Sequence, residues 1–345
     1  MRCTIKHLVM IKVIIVAGVF ISGVVATTVK QQAEKNGHVS FFTVSGEAAL
    51  RQQKDVIPVI TIADADTSVN LMKLIKPGAT LQKISDQFSF TEGPAADKNG
   101  NIFFTDQPND KIWKYDTDGK LSVFMDKSGR ANGMYFDKKG NLIACADENS
   151  ELWSISPDKK VTVLLKNYNS VRFNGPNDLW IDKKGGIYFT DPYYQRDYWE
   201  RKKPDMDAQK LYYLAKGAQE AIVADADFVR PNGIIGTADS KWLYVADIGD
   251  SKTYKYKINE DGSLTNRQLF VSQGSDGITL DNKGNLYITG KGITIYDPSG
   301  TKIGNIPVPS GWVGNVCFGG KDRKTLFITA SESVYTLQMQ VRGVK

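Results

Sequence analysis

Histidine is nearly missing from this 345-residue chain: the only two are His7 and His38, both close to the N-terminus. No Ser-His-Asp triad, Cys-His pair or His-ligated zinc site can be built from the rest of the sequence. Cysteine is almost as scarce, with Cys3, Cys145 and Cys317 the full set. Cys145 and Cys317 lie in apolar, strand-like runs of different units, so both read as buried free thiols rather than a disulfide. There is no Gly-x-x-x-x-Gly-Lys-Ser/Thr loop and no dinucleotide fingerprint. The net charge of +6 is mild, acids and bases are mixed, and no basic stripe is interleaved with aromatics, which argues against a nucleic-acid partner. Carboxylates, amides, water and a bound ion are what remain for chemistry.

The N-terminus reads as a processing segment. Arg2, Lys6 and Lys12 precede an apolar run from Val13 to Ala26, and Val24-Val25-Ala26 offers small residues before Thr27. That is the pattern of a signal peptide over residues 1–26, too short for a comfortable membrane span. Export to a periplasm or the extracellular space is expected, with an uncleaved anchor as the alternative and no membrane contact once the signal is removed. Residues 27–80 read as a leader and N-terminal segment.

The remainder is organised by a repeat. Thr91-Glu92-Gly93-Pro94 leads through Asp97-Lys98-Asn99-Gly100 into Asn101-Ile102-Phe103-Phe104-Thr105. A polar residue opens a short apolar run, an Asp/Asn/Gly turn follows, and a β-rich strand comes next. Six copies occur. Their second strands begin at 101, 141, 186, 242, 285 and 325, in steps of 40, 45, 56, 43 and 40. Strand-rich repeats of about 40–45 residues without helical periodicity are propeller blades. The expectation is an all-β, six-bladed β-propeller over residues 81–340, a single domain. Leu81 to Phe90 would supply a strand that closes the ring with the C-terminal unit. A closed ring has few free edges, so a monomer is the default.

The leading polar residues are Glu92, Asn132, Asn177, Asn232, Asp276 and Asn315, each 9 or 10 residues ahead of its second strand. Equivalent places in a closed ring form one layer around the axis. All six side chains carry an oxygen acceptor, and two are carboxylates. Such a set suits a hard cation, Ca²⁺ more readily than Mg²⁺. Two carboxylates facing one channel would otherwise raise each other's pKa. Asp106, Asp147, Asp191 and Asp247 end four second strands and read as acceptors for loop amides. An insertion at residues 192–209, carrying Tyr193, Tyr194 and Trp199, stands where it could cover the channel mouth.

These residues resemble the gluconolactonase and senescence-marker-protein (regucalcin) family of six-bladed propellers. The resemblance spans residues 81–337. It is carried by Thr91-Glu92-Gly93-Pro94, Arg130-Ala131-Asn132-Gly133, Asn174-Gly175-Pro176-Asn177-Asp178, Pro231-Asn232-Gly233, Ser275-Asp276-Gly277 and Asn315-Val316-Cys317-Phe318-Gly319-Gly320. It implies one divalent cation, usually calcium, with Zn²⁺, Mg²⁺ or Mn²⁺ as other candidates, held by Glu92, Asn177, Asn232 and Asp276. Ring and resemblance together lead to the expectation of a gluconolactonase-like hydrolase that opens a sugar lactone such as an aldonolactone, with Asp276 as the base and Asn132, Asn315, Tyr193 and Tyr194 as substrate contacts. A phosphotriesterase or arylesterase on the same metal, or a non-catalytic calcium-stabilised binding propeller, are the alternatives. Sugar-lactone members carry an Arg two residues before the Asn that matches Asn177; here that place is Gly175.

Overall fold

The computed structural model describes residues 33–35, 38–40, 56–57 and 65–344. The expected signal at 1–26 and most of the expected leader lie outside the described residues. Ala33–Lys35 and His38–Ser40 pair as a short antiparallel hairpin, which belongs to a separate N-terminal unit.

Six antiparallel sheets make a six-bladed β-propeller, the architecture expected from the repeats. The innermost strands are Thr91–Ala96, Ala131–Phe136, Leu179–Ile181, Pro231–Gly236, Ile278–Leu280 and Asn315–Gly319 for blades 1 to 6. Blades 1 to 5 each run through four consecutive strands. Blade 6 instead takes three strands from residues 315–338 and a fourth, Leu81–Ser85, from the start of the ring, with the short strand Val56–Ile57 paired outside it as a fifth. Leu81–Ser85 pairs antiparallel with Ser333–Gln338, in the register Val334 to Ser85 and Thr336 to Gln82. The ring is therefore closed by hydrogen bonds between the first and last strands of the propeller, as the sequence suggests.

The turn inside each unit forms for the reason read from its residues. Asp97 Oδ1 accepts the amides of Asn99 and Asn101, and Asn101 Nδ2 donates to Asp97 Oδ2. The same three bonds recur at Asp137 and Asp281. Gly100 follows at φ 90°, in the left-handed region open to glycine at little cost.

Large apolar side chains fill the spaces between blades. Tyr188, Phe189, Tyr212, Tyr287 and Phe327 are fully buried. Residues before Leu81 join this core as well: Leu71, Leu74 and Ile75, at and just beyond the helix Ala65–Met72, pack with Ile293, Ile306, Leu326, Leu337 and Met339. Gln340 ties down the same segment by donating from its amide to Leu74 O and from Nε2 to Ile75 O.

Leu81, 1% exposed, carries the closing strand into this cluster. Leu81→Ala should cost about 2–4 kcal/mol, because the emptied space cannot fully collapse. Denaturant unfolding checks this: a loss below about 1 kcal/mol would mean the closing strand lies outside the cooperative core.

Candidate active site

The six leading residues come to one end of the central axis. In blades 1, 2 and 4 each is the second residue of its innermost strand, and in blade 6 it is the first. In blades 3 and 5, Asn177 and Asp276 sit two residues ahead of the strand. Inner strands approach closely here. A β-carbon on Gly133 would stand 2.5 Å from Asn177 O, and one on Gly233 2.5 Å from Asp276 O. Added β-carbons on Gly93 and Gly277 would overlap Asn132 O and the Asn315 side chain. The polar-then-glycine pair in four blades thus has a steric cause: only glycine lets the next blade's leading residue come this near. Threonines stitch the layer together. Thr105 Oγ1 donates to Asn132 O at 3.3 Å, Thr190 Oγ1 to Asn232 O at 2.8 Å, and Thr329 Oγ1 to Asn315 O at 3.1 Å.

The electrostatics of the layer are dominated by loss of water. Burial, then the nearby Asp276 and Asp178 carboxylates, hold the Glu92 pKa well above the usual range, although Glu92 Oε2 accepts the Gly93 amide at 3.0 Å. Burial raises Asp276 to about 6, against hydrogen bonds from Trp312 and Asn232 that favour its charged form. Trp312 Nε1 donates to Asp276 Oδ2 at 2.6 Å. Asn232 Nδ2 also donates to Tyr194 OH at 2.9 Å. With its amide hydrogens engaged in this way, Asn232 presents Oδ1 as an acceptor. The Asn132 and Asn177 side chains, each 5% exposed as residues, find no hydrogen-bond partner among the described residues. Among the described residues no three Asp, Glu, His or Cys side chains cluster closely enough to hold an ion by themselves. An ion here would need the amide oxygens as well as the two carboxylates. The donor chemistry fits that: oxygen only, two acids held short of full charge, and buried amides without protein partners.

Sequence reasoning missed three contributors. Asp178 occupies the place that is glycine in four other blades. Its carboxyl is buried against Gly133 and raised to about 7 by that burial, with Asn315 donating to it; the break in the polar-glycine pattern was the available signal. Trp312 lies in an irregular stretch with no counterpart in the repeat. Arg196 belongs to the 192–209 insertion, yet its direction is set by a partner in another blade.

Three of the four strand-ending aspartates accept loop amides. Asp106 takes Ser89 and Phe90, Asp191 takes Asn174 and Gly175, and Asp247 takes Val229 and Arg230. Each pair lies three and two residues before a leading residue, so these carboxylates aim the ring. Asp147 departs from the expectation. Its Oδ2 accepts Arg196 Nε at 2.9 Å and also the Tyr198 hydroxyl, while Asp147 O accepts Trp199 Nε1 at 3.1 Å. It anchors the insertion, and Asp110 accepts the Arg130 amide in its stead.

The insertion crosses from blade 3 over blade 2. Arg201 Nη1 donates to Phe173 O at 2.9 Å and Nη2 to Ser150 Oγ at 2.8 Å. Tyr194 reaches the ring through Asn232. Tyr193 is engaged within the insertion: its hydroxyl donates to Gln195 Oε1, and its ring packs against Trp199. Gly175 is also explained. An added β-carbon there would meet Asp147 Oδ1 at 2.8 Å and the Trp199 ring at 2.9 Å, so the insertion fills the space a longer side chain would need. Arg172 is exposed and bonds Asp205 at 2.7 Å. A groove of about 480 Å³ among the hairpin turns of blades 2 and 3 contains no leading residue.

A family model described as "SMP-30/Gluconolactonase/LRE-like region" matches residues 90–332. The chain belongs to this family. It is 29% identical over 307 residues to the gluconolactonase of Zymomonas mobilis, covering 80% of this chain and 86% of that protein. A solved gluconolactonase from Xanthomonas campestris superimposes with a TM-score of 0.74 at 26% identity, covering 83% of this chain and 95% of the other. The calcium-binding regucalcin of Agrobacterium tumefaciens shares the fold, with a TM-score of 0.65 at 18% identity over 76% of this chain and 94% of that one.

Asp191 gives this family member a pH signature. Burial raises its pKa to about 7 in the fold, against about 3.9 in an unfolded chain. Between those values the folded state holds the extra proton, so stability contributed at acid pH is lost as pH climbs through about 7. The urea midpoint of chelated protein should fall from pH 5 to pH 7.5, and Asp191→Asn should flatten that slope. An unchanged slope in the variant would reject the assignment.

Proposed function

We propose that this chain, a lactone hydrolase by family, opens a sugar lactone of the aldonolactone type at the axial ring, with a divalent cation, calcium foremost, as its cofactor. The reading rests most on one observation: Glu92 and Asp276 share a buried layer with amide oxygens, and burial raises both pKa values despite the hydrogen bonds that favour their charged forms. The residues that would hold the ion are Glu92, Asn177, Asn232 and Asp276, and when bound it would supply Lewis-acid polarisation of the lactone carbonyl. Trp312, bonded to Oδ2, fixes the plane of the Asp276 carboxylate. The other oxygen takes a proton from the attacking water. Tyr194 orients Asn232 and walls the mouth with its ring. Asn132, whose side chain has no partner among the described residues, offers its amide to the hydroxyls of the sugar ring. Asn315 accepts the Val316 amide at Oδ1 and donates from its NH₂ group to Asp178 and Glu92, so it holds those carboxyls in place.

Two further proposals accompany this reading: the protein is exported, and it acts as a monomer. Among the described residues no helix is long and apolar enough to cross a membrane.

Hydrolysis of glucono-1,5-lactone should vanish on chelation and return with Ca²⁺, or with another of the divalent ions named above. Asp276→Asn and Glu92→Gln should each lower kcat by about 10²-fold or more. Full activity in metal-loaded Asp276→Asn would overturn the base assignment. Failure of every ion to restore a chelated enzyme would overturn the cofactor.

A further inference from the structure

Basic side chains gather where the 192–209 insertion meets the mouth of the channel. Tyr194, whose hydroxyl is bonded to Asn232 of the ring, has two guanidiniums against its aromatic face: Arg230 at 5.1 Å and Arg196 at 5.5 Å from the ring centroid. Their charges are answered differently. Arg196 is paired with Asp147 at 2.9 Å. Arg130, lying 4.5 Å above the neighbouring Tyr198 ring, is paired with Glu148 at 3.6 Å. Arg230 is exposed and has no carboxylate partner among the described residues. Its backbone is nevertheless fixed, since its amide donates to Asp247 Oδ1 at 2.8 Å. A guanidinium held against an aromatic face, on a pinned backbone, gives up little further entropy when it binds an anion. It also offers a planar pair of donors that matches a carboxylate.

Arg230 precedes Asn232 by two residues, so this cation stands beside the reacting layer. A lactone whose carbonyl faces Glu92 and Asp276 extends its far end toward the mouth. We propose that the Arg230–Tyr194–Arg196 cluster is a subsite for an anionic group at the end of the substrate remote from the carbonyl, so that the substrate class is an acidic sugar lactone, one that bears a second carboxylate. This rests on the lactonase reading for the placement of the carbonyl, but the anion subsite can be measured without turnover.

The test uses the full chain with Ca²⁺ and two readouts. The first is kcat/KM for glucono-1,5-lactone and for a lactone of glucaric acid, which bears the extra carboxylate, with spontaneous opening subtracted. The acidic lactone should be preferred roughly tenfold or more at low salt, with the preference shrinking as NaCl is added. Arg230→Gln should remove that preference while leaving the neutral lactone within about twofold, and Arg230→Lys should keep part of it. The second readout is equilibrium binding of glucarate against gluconate at equal free Ca²⁺, where wild type should favour the dianion and Arg230→Gln should not. Equal kcat/KM for the two lactones, or an Arg230→Gln defect equal on both, overturns the proposal. Should wild type turn over no lactone, the lactonase reading fails, and binding alone decides the subsite: selective glucarate binding lost in Arg230→Gln supports it, and equal affinity for the two acids overturns it.

Discussion

At the axis of the ring the inner strands come so near one another that a β-carbon after the leading residue would strike the next blade at Gly93, Gly133, Gly233 and Gly277. That crowding makes the site. It forces polar side chains from different blades into one buried layer before any ligand arrives, and there the carboxyls of Asp276 and Asp178 each raise the pKa of Glu92, with Arg196 the cation that acts on Asp276. Carboxylates in such a place keep their protons or find a cation. The pKa shifts at all three have burial as their largest cause. Blade packing therefore creates the electrostatic demand that binding would satisfy.

The fold was legible because the repeat unit is internally rigid. The turn aspartates and the fixed spacing between leading residue and second strand recur while the connections between blades vary in length, and six equivalent residues imply a ring in any closed arrangement of six units. The site was legible only where it follows the repeat. Trp312 sits in a connection, and nothing in its neighbourhood marks the reach to Asp276. Tyr193 and Tyr194 are adjacent and chemically alike, yet backbone alternation sends one into the insertion and the other to Asn232. Asp147 matches its counterparts in sequence position but not in partners, because a tertiary contact with Arg196 and Tyr198 outweighs the local amides it would otherwise accept.

That exchange at Asp147 shows how specificity can be laid on a common scaffold. The insertion brings in Arg196, Tyr198, Trp199 and Arg201, and each finds its partners on blades 2 or 3 rather than at the axis. The oxygen layer beneath is left as the repeat dictates. Variation is thereby confined to the rim, where loops tolerate change, while the reacting centre is held by strands.

Ring closure by Leu81–Ser85 has a consequence for biogenesis. This strand is synthesised before any blade, yet its partner Ser333–Gln338 is made only after blades 1 to 5. Throughout synthesis the first blades exist with an open seam and an unpaired edge, and Asn315 is still missing from the axial layer. The carboxylates of blades 1 and 5 thus acquire their full surroundings only when this long-range pairing forms. A chain stopped or clipped before blade 6 would carry most of the fold's sequence and none of its finished centre. Quality control on such fragments falls to the exposed strand edges themselves, which are the sticky feature that a closed propeller conceals.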